Sequence, residues 1–178
     1  MKYVKQLELF QILFKNGKLG TGRLLGMDVG DRYVGLAVSN HLNEIASPHS
    51  VLIRKQSNID SITDKLQELV RRFSLVGFVI GYPLPLYHFQ RSQAMQVKMF
   101  VEQLQKTGRF GCLNYTYWDE RLTTRAVESM LKPLKIHPLQ MKHMMDKFAA
   151  VGILQDFLDN LQHQAKSCVQ SDSLRPTI

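Results

Sequence analysis

The stretch Leu24-Leu25-Gly26-Met27-Asp28-Val29-Gly30-Asp31-Arg32-Tyr33-Val34-Gly35-Leu36-Ala37-Val38 decides what kind of domain this chain builds. Its two apolar runs, Leu24 to Val29 and Tyr33 to Val38, have the length and composition of strands, and Gly30-Asp31 between them is a hairpin signal. Asp28 interrupts the first run. A carboxylate is costly in a buried strand unless it is paired, hydrogen-bonded or metal-bound. Glycines at 26 and 30 let backbone or ligand approach that edge closely. The local alternative is an aspartate that merely holds the following turn.

Working outward, Ser50 to Arg54 is predicted to add a third, shorter strand, and Ser57 or Asn58 to cap a helix that turns Ile59, Ile62, Leu66, Leu69 and Phe73 to one side. Phe78 to Ile80, ended by Gly81-Tyr82-Pro83, reads as a buried strand leading into a loop. A helix with Ala94, Val97, Val101 and Leu104 inward follows, then a Tyr- and Thr-containing strand from Leu113 to Trp118. Thr123 or Thr124 is placed to cap a helix carrying Val127, Met130 and Leu131. Pro133 and Pro138 break the chain before a last long helix, about Leu139 to Leu161. Three strands in a meander followed by alternating helix and strand fit an α/β domain of ribonuclease-H-like type, a mixed five-stranded sheet flanked by helices, a pattern that other mixed-sheet folds share.

Two further acidic positions stand out. Asp119-Glu120 closes the last strand just before Arg121-Leu122-Thr123-Thr124, and ligand sites in α/β sheets gather outside the carboxyl ends of strands. A charged turn with a threonine cap is the plainer explanation of that block. Asp146 shares a helical face with Ala149, Ala150, Ile153, Phe157 and Leu161, so it falls within an apolar stripe, where an unpaired charge is expensive. Backbone donors or a lysine are the plainer partners for it. Taken together, Asp28, Asp119-Glu120 and Asp146 suggest one cluster of oxygen donors. Mg²⁺ or Mn²⁺ takes such ligation, and a pair of such ions supports phosphodiester hydrolysis.

The chain has 178 residues and a formal net charge of +8, which favours a polyanionic partner, nucleic acid first and an anionic membrane second. Cys112 and Cys168 form no CxxC pair, which excludes a disulfide framework and a thiolate zinc site and fits a reducing compartment. No apolar run approaches the ~18–20 residues of a membrane span. Residues 1–23 read as a basic N-terminal extension, 24–161 as the domain, and 162–178 as a flexible tail. A cytoplasmic location is expected; a mitochondrial or plastid one follows if the basic start is a targeting signal.

The blocks now assembled are similar to those of a known family. Gly26-Met27-Asp28-Val29-Gly30-Asp31-Arg32-Tyr33-Val34-Gly35-Leu36-Ala37-Val38-Ser39 resembles the opening signature of the YqgF/RuvX family. Ala46-Ser47-Pro48 resembles its third-strand entry, and Val79-Ile80-Gly81-Tyr82-Pro83-Leu84 its fourth-strand motif. Asp119-Glu120-Arg121-Leu122-Thr123-Thr124 resembles its most distinctive block, and Asp146 with Ala149-Ala150 and Ile153-Leu154-Gln155 its final helix. These blocks run in order over about residues 24–161.

The resemblance implies a ribonuclease-H-like nuclease related to Holliday-junction resolvases and assigned in bacteria to maturation of pre-16S ribosomal RNA. It implies Asp28, Glu120 and Asp146 as catalytic, metal-binding acids, with Asp119 the second choice to Glu120. Arg121, Thr123 and Arg32 are the implied substrate contacts. The implied partner is structured RNA or a DNA junction, bound by a monomer or homodimer. Two other classes compete: a nuclease-like domain that binds nucleic acid without cutting it, and a phosphotransferase with a similar Asp-Gly hairpin, which would need a second such domain. The chain departs from the family at Pro85-Leu86-Tyr87-His88-Phe89-Gln90, where a polar loop is usual, and over Lys132 to His143. Tyr87 and Phe89 are placed to pack on the domain or to stack on bases.

Overall fold

The computed structural model describes residues 1–15, 18–19, 22–55, 57–83, 88–119 and 138–172; for 14–15, 18–19, 88–91, 138–143, 146 and 167–172 it describes the backbone alone. Strands β1 (Lys2–Tyr3), β4 (Arg23–Val29), β5 (Tyr33–Ser39), β6 (Ala46–Ile53), β7 (Leu75–Tyr82) and β8 (Asn114–Asp119) form one sheet in the order β1-β8-β7-β4-β5-β6. β2 (Phe14–Lys15) and β3 (Lys18–Leu19) pair as a separate two-stranded unit. The helices are α1 (Gln6–Leu13), α2 (Ile59–Phe73), α3 (His88–Lys106) and α4 (Pro138–Asp172). None of them is long and apolar enough to cross a membrane, among the described residues.

The hairpin at Gly30 forms as its sequence predicts. The Gly30 amide donates to the Tyr33 carbonyl at 2.9 Å, and Val29 pairs with Val34 in an antiparallel ladder that continues into β6. β7 then joins β4 in parallel and β8 joins β7 in parallel, so β4, β7 and β8 all end at the same edge of the sheet. This is the expected meander with parallel additions. A sixth strand differs from the expected five: Lys2 and Tyr3 pair in parallel with Asn114 and Tyr115.

Two apolar layers cover the sheet. Leu25, Met27, Leu36, Phe78 and Ile80 pack under α2 and α3 through Leu66, Val97, Phe100 and Leu104. Leu24, Ala37 and Val79 on the other face pack under α1 and α4 through Leu9, Phe10, Ala150, Ile153, Leu154 and Phe157. Leu24 to Met27 is therefore buried on both sides, as a central strand between two helical layers must be.

Several boundaries move. β6 begins at Ala46 rather than Ser50, and β7 runs from Leu75 to Tyr82, because ladder pairing with neighbours carries a strand beyond its apolar centre. Asn58 occupies the start of α2 without capping it: its side chain accepts from the Lys55 amide and donates to the Ile53 carbonyl, closing the preceding turn. α4 continues to Asp172, well into the segment 162–178 expected to be a flexible tail. The extension before residue 24 contributes β1 and α1, with Leu9 wholly buried. The helix expected after Thr123 lies outside the described residues.

Candidate active site

Asp28 is the second-last residue of β4 and half-buried. The parallel register Met27–Ile80–Tyr117 puts the next step of each strand, Asp28, Gly81 and Trp118, on one level. Side chains alternate across a sheet, so Asp28 shares its face with Leu24 and Gly26, under α4. Gly81 and Trp118 face the same way. A Cβ built on Gly81 would lie 2.5 Å from Ile153 Cδ1, and the Trp118 ring packs edge-on to Phe157 at 5.2 Å. The Trp118 indole N–H donates to Asp156 Oδ2 at 2.7 Å, which ties β8 to α4 beside the site.

Helix α4 runs antiparallel to β4. Its later residue Gln162 donates to the Asn43 carbonyl, and Asn43 donates in turn to Gly22, just ahead of β4. Residues before Ala150 therefore lie toward the Asp28 end. The helix crosses β4 at Gly26, where a Cβ would meet the Ala150 carbonyl oxygen at 2.9 Å and Leu154 Cβ at 2.7 Å. Only glycine permits that approach. From this crossing, Asp28 is two strand residues away, about 7 Å, and the backbone of Asp146 is one helical turn away in the same sense, about 6 Å. The helical phase expected for Asp146 is seen in its neighbours: Ala149, Ala150, Ile153, Leu154, Phe157, Leu158 and Leu161 are all buried.

Asp119 ends β8 level with Tyr82, on the opposite face, among side chains that pack under α3. Lys98 lies over the Tyr82 ring there at 5.7 Å. Asp119 is thus turned away from Asp28 although its strand ends nearby. Arg32 is exposed in the β4–β5 turn. Glu120, Arg121, Thr123 and Tyr87 lie outside the described residues, as does the side chain of Asp146. Among the described residues no group of three metal-ligating side chains converges.

Arg54 is a residue that periodicity did not single out. Its guanidinium donates to the Gly30 carbonyl at 3.1 Å and to the Gln96 carbonyl at 3.3 Å, and lies 5.3 Å from the Phe100 ring centre. It bolts the turn after Asp28 to α3. Burial pulls its pKa below the ordinary guanidinium value while Asp31 opposes the change. The available signal was a lone arginine at a strand end followed by a turn, which is too common to distinguish it. Gln155 is similar: it accepts from the Ala46 amide at 2.8 Å and donates to the Glu44 carbonyl at 2.9 Å, fixing α4 to the start of β6.

A half-buried aspartate at the end of the central strand, in a meander extended by parallel strands and crossed at glycine by a helix, is a ribonuclease-H-like arrangement, and the chain's relatives make it a nuclease, a hydrolase of phosphodiester bonds. The chain belongs to the RuvX family, described as Holliday junction resolvase, which it matches over residues 22–160. It is 33% identical over 137 residues to a protein of Syntrophomonas wolfei named "Putative pre-16S rRNA nuclease", covering 77% of this chain and 94% of that one. A protein of the same name from Roseiflexus sp. is 34% identical over 139 residues, covering 78% and 95%. In fold the chain is similar to T. thermophilus RuvC in complex with a Holliday junction substrate, with TM-score 0.51, 16% identity and coverage of 79% and 96%.

Proposed function

We propose that this chain is a metal-dependent nuclease that processes pre-16S-type ribosomal RNA precursors, with Asp28, Glu120 and Asp146 as its metal-binding acids. The observation that carries this is the crossing of α4 over β4 at Gly26, which brings the helical turn bearing Asp146 to the strand end bearing Asp28. Asp119 on the opposite face supports Glu120, its neighbour, as the third acid. The relatives' shared name supports the RNA substrate.

Three carboxylates from separate elements form an all-oxygen donor set, which suits Mg²⁺ or Mn²⁺. Bound there, such ions would activate a water and stabilise the leaving oxygen of a phosphodiester. The chain's own residues supply orientation. Arg54 holds the turn that follows Asp28, while Arg32, Arg121 and Thr123 contact the phosphates of the bound strand. The net charge of +8 favours the encounter with a polyanion.

The test uses purified full-length chain with a pre-16S precursor transcript and a four-way DNA junction, in Mg²⁺, in Mn²⁺ and in chelator. Cleavage of the transcript that needs the metal and falls at least about a hundredfold in Asp28→Asn is expected. Cleavage confined to the junction would establish the resolvase reading that the family's description suggests. Binding without metal-dependent cutting would make the chain a nucleic-acid-binding domain.

A further inference from the structure

The acids proposed above belong to separate elements: Asp28 to β4, Asp146 to α4, and Glu120 to the chain that leaves β8. A shared metal site needs these elements held at fixed spacing, and each pair of them has its own fastener. β4 and α4 meet at Gly26 and Ala150, where the absence of a side chain lets them touch. β4 and β8 are joined through β7 by the parallel register Met27–Ile80–Tyr117. β8 and α4 are joined by Trp118, whose indole N–H donates to Asp156 Oδ2 at 2.7 Å and whose ring lies edge-on to Phe157 at 5.2 Å.

Trp118 stands where such a fastener bears on the site. It is level with Asp28 and on the same face, two strand spacings away, about 10 Å. Gly81 lies between them, and Ile153 of α4 fills the place its side chain would take. The indole is half-buried and Asp156 exposed, so water is available to both groups. Their bond spans two elements instead, and the ionised acceptor makes it stronger than a neutral pair. The outer side of β8 is held as well. The Val4 amide donates to the Tyr115 carbonyl at 2.9 Å, and Gln6 Nε2 donates to the Tyr117 carbonyl at 3.3 Å. β8 is thus clamped from both sides just before Glu120 in sequence.

We propose that the Trp118–Asp156 pair is a positioning latch for the metal: it holds the end of β8 against α4 so that Glu120 and Asp146 ligate the same ion as Asp28. Neither latch residue touches the ion. This rests on the metal-dependent nuclease reading above. Groups that orient metal ligands from behind govern affinity by about ten- to a hundredfold, although they donate no electron pair to the metal.

The experiment measures Mn²⁺ binding to full-length protein without nucleic acid, from the electron paramagnetic resonance signal of the free ion, so the readout is independent of cleavage. Asp156→Ala removes the acceptor. Trp118→Phe removes the donor and keeps a ring on Phe157. Each should weaken Mn²⁺ binding about tenfold. Asp156→Asn retains a carbonyl oxygen for the indole N–H and should stay within about twofold of wild type. A residue that only stabilises the fold would shift the urea midpoint and leave Mn²⁺ affinity unchanged. Asp156 is exposed, so Asp156→Ala keeps the test valid if Trp118→Phe does not fold. Wild-type affinity in Asp156→Ala overturns the latch. Equal losses in Asp156→Asn and Asp156→Ala also overturn it, because they trace the effect to the carboxylate's charge. Asp28→Asn separates the two readings. If it binds Mn²⁺ as wild type does, or if wild type binds none, the metal site itself falls and the latch with it. If Asp28→Asn loses the ion while Asp156→Ala keeps it, the latch alone falls.

Discussion

Gly26 of β4 and Ala150 of α4 meet backbone to backbone: a methyl group on Gly26 would sit 2.9 Å from the Ala150 carbonyl oxygen. The contact lies about two residues from Asp28 on one chain segment and one helical turn from Asp146 on the other. The spacing of the two acidic positions is therefore a property of a glycine and an alanine, neither of which can do chemistry.

Gly26→Ala should force the helix off the strand, because both atoms it meets, a carbonyl oxygen and a Cβ, are close to the backbone and cannot swing away. Overpacking of this kind costs about 1–3 kcal/mol. The expected result is a lower urea midpoint with unchanged slope, together with a fall in metal-dependent cleavage of at least tenfold. Full cleavage at reduced stability would show that the crossing does not set the acids.

Leu9 is wholly buried beside Phe10, Leu24, Val79 and Leu158, although it precedes the residues that match the family. Leu9→Ala should cost roughly 2–5 kcal/mol, the range for a leucine removed from a core. Deleting residues 1–13 should cost more, since it also uncovers the β8 edge that β1 pairs. Thermal or urea denaturation decides this; an unchanged midpoint in Leu9→Ala would mean that α1 is only loosely attached.

Arg54→Met keeps an apolar stem over Phe100 and removes the hydrogen bonds to Gly30 and Gln96. A stability loss of about 1–3 kcal/mol is expected for hydrogen bonds from a charged donor. Cleavage should lose kcat more than KM, about tenfold, because the turn after Asp28 is freed while phosphate contacts elsewhere remain. Arg54→Lys should fail to restore kcat, as a single ammonium cannot span both carbonyls as a planar fork does. Equal loss in KM and none in kcat would make Arg54 a substrate contact instead.

His49 on β6 is held below its ordinary pKa of 6.5, by burial first and then by the positive charges of Arg72 and Lys147, with Glu68 acting in the other direction. The folded protein thus binds this proton less readily than the unfolded chain does. The stabilisation it reflects is present above the unfolded pKa and is lost as pH falls through 6.5 toward the folded value. Between about pH 7.5 and about 5.5, the urea midpoint of wild-type protein should fall more than that of His49→Gln. Parallel pH profiles for the two proteins would remove His49 from the account.

Much of the architecture was legible from local pattern. Two strand-length apolar runs around Gly30-Asp31 specified the hairpin, and the spacing of Ala149, Ala150, Ile153 and Phe157 specified the inward face of α4, because burial on one side of a strand or helix imposes a period that local sequence records. Asp28 stood out for the same reason, as a charge in an apolar period. The extent of β6 and β7, the joining of Lys2–Tyr3 to β8, and the extension of α4 to Asp172 were not legible, since ladder partners and packing surfaces far away in sequence stabilise them.

Sequence alone thus determined the class of domain and singled out the acidic residues proposed for its chemistry, because both are written in periodicity and in residue types that periodicity does not tolerate. Only the tertiary structure decided which faces Asp28 and Asp119 take. It turned Asp119 toward Tyr82 and away from Asp28, and made Arg54 and Gln155 fasteners of the site's frame. Those outcomes depend on register between strands and on a helix crossing at Gly26, and register is a relation between distant segments that no single segment encodes.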